Sequence, residues 1–119
     1  MPEAVIVEAV RTPSGKRKGS LMKYHPTELA AAVLNELLRR AGTKPSMVND
    51  IIMGCVLSAG DQGLNIARNS ALLAGFPVEI PGTTVDRQCG SGQQAIHFAA
   101  NLIEAGVSDV VIAAGVESM

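Results

Sequence analysis

The chain has 119 residues, 47% of them hydrophobic and 18% charged, with a net charge of −1. That length fits one domain, residues 1–119, able to bury about two-thirds of its unfolded surface, and the hydrophobic fraction excludes a disordered chain. Ten Lys and Arg against eleven Asp and Glu leave no basic excess for nucleic acid, and three aromatics (Tyr24, Phe76 and Phe98) exclude base-stacking platforms and an aromatic sugar cleft.

Ala4–Val10 is an apolar run interrupted by Glu8, which predicts a mostly buried strand. Arg11–Gly15 breaks it, and Lys16-Arg17-Lys18 follows in a loop. Leu29, Val33, Leu34, Leu37, Leu38 and Ala41 recur at helical spacing. Pro26 or Thr27 suits the first turn of that helix, Glu28 and Arg39-Arg40 complement its dipole, and Gly42 is its predicted stop. Ile51–Leu57 reads as a strand apolar on both faces. Asn65 can cap a helix over 66–74, ended by Gly75 and Pro77. Thr83–Val85 is β-branched throughout and predicts a third strand. Cys89-Gly90-Ser91-Gly92 then turns sharply into a helix over 92–105. The apolar residues Ala95, Ile96, Phe98, Ala99, Leu102 and Ile103 cover more than one of its faces, which predicts burial on several sides. Asp109–Val116 is a fourth strand.

The order β-α-β-α-β-α-β predicts an α/β fold, a mainly parallel sheet with helices on both faces. Ligands of such sheets gather beyond the carboxyl ends of the strands. The sequence ends at Met119, where the fourth such loop would begin, so the reading expects an incomplete domain.

Residues 1–10 carry no basic n-region, and no apolar run approaches bilayer length, so the reading places the chain in the cytoplasm with free thiols and no membrane. Cys55 and Cys89 form no CxxC and have no Cys/His ligand spacing, so no metal site is expected. Cys55, inside an apolar strand, reads as inert. Cys89 lies between a β-branched strand and a helix start. The N–H groups and dipole there favour a thiolate, and the adjoining glycines let a substrate carbonyl approach the backbone. Position alone leaves a reactive and a buried structural cysteine both open.

A rival reading uses the same stretch. Gly90, Gly92 and Ala95 match G-x-G-x-x-G/A, and Glu117 lies 22 residues beyond Ala95, where a ribose-binding acid would sit. That fingerprint normally follows the first strand of its domain, whereas here it follows the third, and it gives Cys89 no role. Cys89-Gly90-Ser91 departs from the papain signature at Gly92 and Gln93. His97, eight residues on, lies roughly 12 Å away along the helix axis and cannot be the direct base. It reads as a partly buried helix residue, and His25 falls in a loop. Gly15-Lys16 is no P-loop, since Val10 holds the upstream glycine position and Arg17 replaces Ser/Thr. Lys16–Lys18 reads as a solvated loop, with coenzyme phosphates or acidic groups as the alternative.

With this order and Cys89 in hand, the chain resembles the N-terminal part of the thiolases, acetyl-CoA C-acyltransferases, from end to end. VIVEAVRTPSGKRKG, HPTELAAAVL, VNDIIMGCVL and GLNIARNSALLAGFP are similar to the family's first two strand–helix pairs. VDRQCGSGQQAI is similar to its nucleophile segment, and AAGVESM to the close of its fourth strand. Asp86 departs from the Asn of many members. The resemblance implies that Cys89 is the acylated nucleophile, with its amide as one oxyanion-hole donor. Coenzyme A thioesters and CoA are the implied substrates, and no separate cofactor is needed. It also implies that the activating His, the second acid/base Cys and the CoA-binding loop domain lie in further thiolase sequence, joined covalently or as a separate chain. A dimer or tetramer formed through the Thr83–Val85 edge is implied as well. A noncatalytic thiolase-like interaction module is the third reading.

Overall fold

The computed structural model describes residues 2–119. Three helices and three strands follow in the order α1 (Pro26–Ala41), β1 (Asp50–Gly54), α2 (Ile66–Leu73), β2 (Gly82–Val85), α3 (Ser91–Glu104) and β3 (Val111–Gly115), with short 3₁₀ turns at Pro45–Met47 and Gly60–Gln62. The sheet is parallel in the order β2-β1-β3. Ile52 is in register with Thr83 on one side and with Ala113 on the other.

Local chemistry sets the limits of α1. Pro26 occupies its first turn, and the His25 ring caps it by accepting the Thr27 N–H at 3.2 Å on Nδ1. At the other end Gly42 turns left-handed at φ 64°, donating to the Arg39 carbonyl while Thr43 donates to that of Leu38. This pair of bonds is a Schellman closure, which glycine adopts without steric cost. Ala30, Leu34 and Leu38 line up four residues apart and are buried.

The central strand is apolar on both faces because each face is covered. Ile51, Met53 and Cys55 join Leu34, Leu38, Ile66, Ala67, Ala71 and Ile112 in the larger core, beneath α1 and α2. Ile52 points the other way, to Ala95 and Ala99 of α3. The loops leaving β1 and β2 therefore run to opposite faces of the sheet. The crevice between those two strand ends is where ligands collect in open α/β sheets.

The observed sheet differs from the expected one at its start. Residues 4–10 pair with no strand, and Val5, Ile6 and Val7 are exposed. An extended segment becomes a strand only beside a hydrogen-bonded neighbour, and none lies alongside it among the described residues. β1 and β3 are shorter than the apolar runs that predict them, whereas β2 contains all of Thr83–Val85 and adds Gly82. β1 stops at Gly54 because the amides of Val56 and Leu57 donate to the Glu117 carboxylate. β3 starts at Val111 because Asn49 Oδ1 takes the amides of Asp109 and Val110.

α3 also departs from expectation. Ala95 and Ala99 are buried, but Ile96 is 48% exposed and Phe98 42%. One sheet covers only one side of a helix, so the remaining apolar positions of α3 face outward. Among the described residues no helix is long and apolar enough to cross a membrane.

Candidate active site

Cys89 is exposed and Cys55 buried, and both are free thiols. Cys89 stands in a tight turn closed by the Gly90 amide on the Arg87 carbonyl at 3.0 Å. The residue before it, Gln88, holds φ at +47°, a left-handed conformation that side chains rarely adopt. Two short bonds stabilise this conformation. Asp86 Oδ1 accepts the Gln88 amide at 2.7 Å, and Ser91 Oγ donates to the Gln88 carbonyl at 2.6 Å while accepting the Arg87 amide at 2.9 Å. Ser91 is buried. The turn thus presents Cys89 outward at the carboxyl end of β2, immediately before α3.

The N-terminus of α3 is bare. Gly90, at its N-cap, offers no side chain to the first-turn amides. A Cβ on Gly92 would meet no atom within 4 Å, so the space beside its Cα is open. Beneath it the packing is tight. A Cβ on Gly54 would lie 2.4 Å from the Ser91 carbonyl carbon and 2.5 Å from the Gly92 nitrogen. Real Cβ contacts are never that short, so the helix end rests directly on the β1 backbone.

Cys55 lies on the core side of β1. Burial pushes its thiol above the usual range, and the carboxylates of Glu117 and Asp86 add to the effect. A neutral buried thiol is a poor nucleophile, and of the two thiols Cys55 is the buried one and Cys89 the exposed one.

The histidines and Glu117 are placed differently from the residue-level expectations. His97 is exposed on α3 rather than partly buried, because it projects from the side of the helix away from the sheet. His25 is engaged as the α1 cap, with Thr27 Oγ1 2.6 Å from Nδ1 and Asp61 3.6 Å from Nε2. Accepting the Thr27 N–H makes Nε2 the protonated nitrogen of the neutral ring. Sequence spacing identified α1 but missed this cap, which the His25-Pro26 pair immediately before the helical run could have signalled. Glu117, the acid of the dinucleotide reading, is committed within the chain. Its Oε2 accepts the Val56 amide at 2.8 Å, and its Oε1 accepts the Leu57 amide at 3.1 Å and Gln62 Nε2 at 3.2 Å. Lys16, Arg17 and Lys18 are exposed in a loop. Among the described residues, no three His, Cys, Asp or Glu side chains converge as metal ligands.

The sequence pattern of the thiolase N-terminal domain matches residues 4–119. The chain belongs to the thiolase family. It is 52% identical over 119 residues to a steroid 3-ketoacyl-CoA thiolase of Mycobacterium tuberculosis, covering 100% of this chain and 29% of that thiolase. An acetyl-CoA acetyltransferase of Cupriavidus necator is 48% identical over 119 residues, covering 100% of this chain and 30% of that enzyme. The crystal structure of a Bacillus anthracis acetyl-CoA acetyltransferase superposes with a TM-score of 0.94 at 47% identity, over 99% of this chain and 30% of that one. The α/β fold is therefore the thiolase N-terminal fold, and its curated relatives are acyltransferases. This chain spans about 30% of their length.

Proposed function

We propose that this chain is the nucleophile-bearing part of a thiolase, which moves an acyl group between a 3-ketoacyl-CoA, or acetyl-CoA, and CoA through an acyl-Cys89 intermediate. The observation that carries this reading is the placement of Cys89, exposed on a strained turn at the bare N-terminus of α3. In the degradative direction the Cys89 thiolate attacks the keto carbon. The bond between that carbon and the CoA-bearing fragment breaks, its electron pair stays with the departing carbon, and a proton completes acetyl-CoA. The thiol of free CoA then attacks the acyl-Cys89 carbonyl, loses its proton, and leaves with the acyl group as Cys89 returns to the thiolate. Both steps pass through a tetrahedral oxyanion, which backbone N–H groups stabilise. The Cys89 amide is one such donor. The base for the cysteine and the acid for the departing carbon belong to further thiolase sequence, since His25 caps α1 and His97 lies eight residues along α3.

β2 is an edge strand. Beside it a groove of about 450 Å³, lined by Thr83, Val85, Phe98 and Leu102, leaves apolar surface open. Unpaired β-branched edges are association hazards, and a second protomer pairing through Thr83–Val85 would cover both features. This reading makes the assembled protein a dimer or tetramer in the cytoplasm.

The test is thiolysis of acetoacetyl-CoA by the full-length protein carrying this segment. Wild type should turn over, and Cys89→Ser should lose at least about 10³-fold in kcat while keeping its thermal midpoint. Wild-type turnover in the serine variant contradicts the assignment. Absence of turnover together with tight NAD binding would favour the dinucleotide reading instead.

A further inference from the structure

Glu117 has no part in the acyl transfer described above, yet its carboxylate carries three hydrogen bonds. The donors are the amides of Val56 and Leu57, at the exit of β1, and the side chain of Gln62. Gln62 is itself buried, at 3% exposure, and its two ends are engaged. Its Nε2 also donates to the Leu57 carbonyl at 2.9 Å, and its Oε1 accepts the Ser118 amide at 2.6 Å. Glu117 and Ser118 follow β3, whereas residues 56–62 follow β1. One network therefore ties the exits of two strands together.

The tied piece of β1 lies directly under the Cys89 turn. Gly54 accepts the Val116 amide at 3.0 Å, and Cys55 donates to the Val85 carbonyl at 3.0 Å, four residues before Cys89. Gly54 is also the residue on which the Ser91–Gly92 backbone rests, and Gly115 of β3 approaches Gly92 Cα at a Cβ distance of 3.6 Å. A shift of the β1 exit relative to β3 would move the floor of the α3 N-terminus. Backbone pairing runs on to the Cys55 amide and ends there, and the next two amides, Val56 and Leu57, are held by the Glu117 carboxylate instead.

We propose that Glu117 is a positioning residue for the Cys89 site, clamping the exit of β1 to the exit of β3 so that the α3 N-terminus keeps its place. This rests on the acyl-transfer reading for its consequence in turnover. Displacements of the order of 1 Å at a reacting group cost up to 100-fold in rate. Charge-assisted bonds to a carboxylate are roughly twice as strong as neutral ones. Glu117→Gln keeps the side chain's size but puts an NH₂ group against one of the amide donors. Glu117→Asp keeps the charge and shortens the reach.

Both variants are made in the full-length protein. Three quantities are read: kcat and KM for acetoacetyl-CoA, the alkylation rate of Cys89 by iodoacetamide between about pH 6 and 9, and the thermal midpoint. Glu117→Gln should lower kcat on the order of 10- to 100-fold with KM within about threefold, and should slow Cys89 alkylation at least about threefold. Glu117→Asp should recover part of both losses. If kcat and alkylation per folded molecule stay within about twofold of wild type, the proposal is overturned, even where the thermal midpoint falls. Should Glu117→Gln fail to fold, Glu117→Asp decides by the same readouts, with wild-type values overturning the clamp. A wild type that does not cleave acetoacetyl-CoA would refute the acyl-transfer reading, and the alkylation rate would then judge the clamp by itself.

Discussion

Gly54 of the central strand supports Ser91 of α3 at backbone contact, with room for a hydrogen and not for a methyl group. A Cβ there would lie 2.4 Å from the Ser91 carbonyl carbon and 2.6 Å from its oxygen. The contacted atoms are backbone, so no rotamer change relieves the clash. Gly54→Ala should therefore destabilise the protein by about 1–3 kcal/mol, in the range of an overpacked core, and should displace the Cys89 turn with the helix. Urea unfolding of the variant measures this. A midpoint equal to wild type would show that α3 is not seated on β1 as described.

Gly92 behaves in the opposite way. It lies within a helix, and a Cβ on it meets nothing within 4 Å. Gly92→Ala should leave stability unchanged or raise it by about 0.5–1 kcal/mol, because alanine is the better helix former. Turnover by the full-length protein should nevertheless fall at least about tenfold, since the methyl group occupies the space an acyl carbonyl needs beside Cys89. Full activity in this variant would place the substrate elsewhere.

His25→Ala removes the α1 cap. The expected loss is about 1 kcal/mol of stability, typical of an N-cap, with Cys89 alkylation unchanged. An alkylation rate that collapses with His25 would make that ring the base for the cysteine and reverse its assignment as a cap.

Much of this arrangement was legible in the sequence, and the exceptions have physical reasons. Helical spacing in Leu29–Ala41 and the β-branched run at Thr83–Val85 identify elements that form through nearby contacts. Cys89 before Gly-x-Gly marked the site because a strand-to-helix turn needs small residues there. The 4–10 segment misled because its composition suits a strand but composition supplies no neighbour. The ends of β1 and β3 were not readable, because Glu117 and Asn49 take amides 60 or more residues away in sequence. The same distance hid the hydrogen bonds of Glu117, which the rival dinucleotide reading offered to a ribose. The outward face of α3 shows the limit of hydrophobic patterning. Ile96 and Phe98 announce a buried surface without naming what buries it.

Glu117 also predicts a pH dependence. Burial pushes its carboxyl up, but the bonds from Val56, Leu57 and Gln62 outweigh this and hold it below the ordinary 4.5. A group depressed in the folded state stabilises above its unfolded value, and that stability is lost as pH falls through the folded value. The urea midpoint should therefore fall on acidification below 4.5, and Glu117→Gln should flatten that decline. Glu36 contributes with the same sign, since bonds from Arg39 and Arg40 hold it at about 2. Glu117 is exposed and Glu36 partly exposed, so added salt should weaken both shares, and Glu117→Gln is what tells them apart. An acid limb unchanged by Glu117→Gln would contradict the bonding described here.

The most direct test is to trap the acyl-enzyme. The full-length protein is mixed with acetyl-CoA, quenched in acid and digested, and the peptides are weighed. The account predicts an acetyl group on the peptide containing Cys89, absent from Cys89→Ser and removed by added CoA. Acetylation confined to the Cys55 peptide, or persisting in Cys89→Ser, would contradict it.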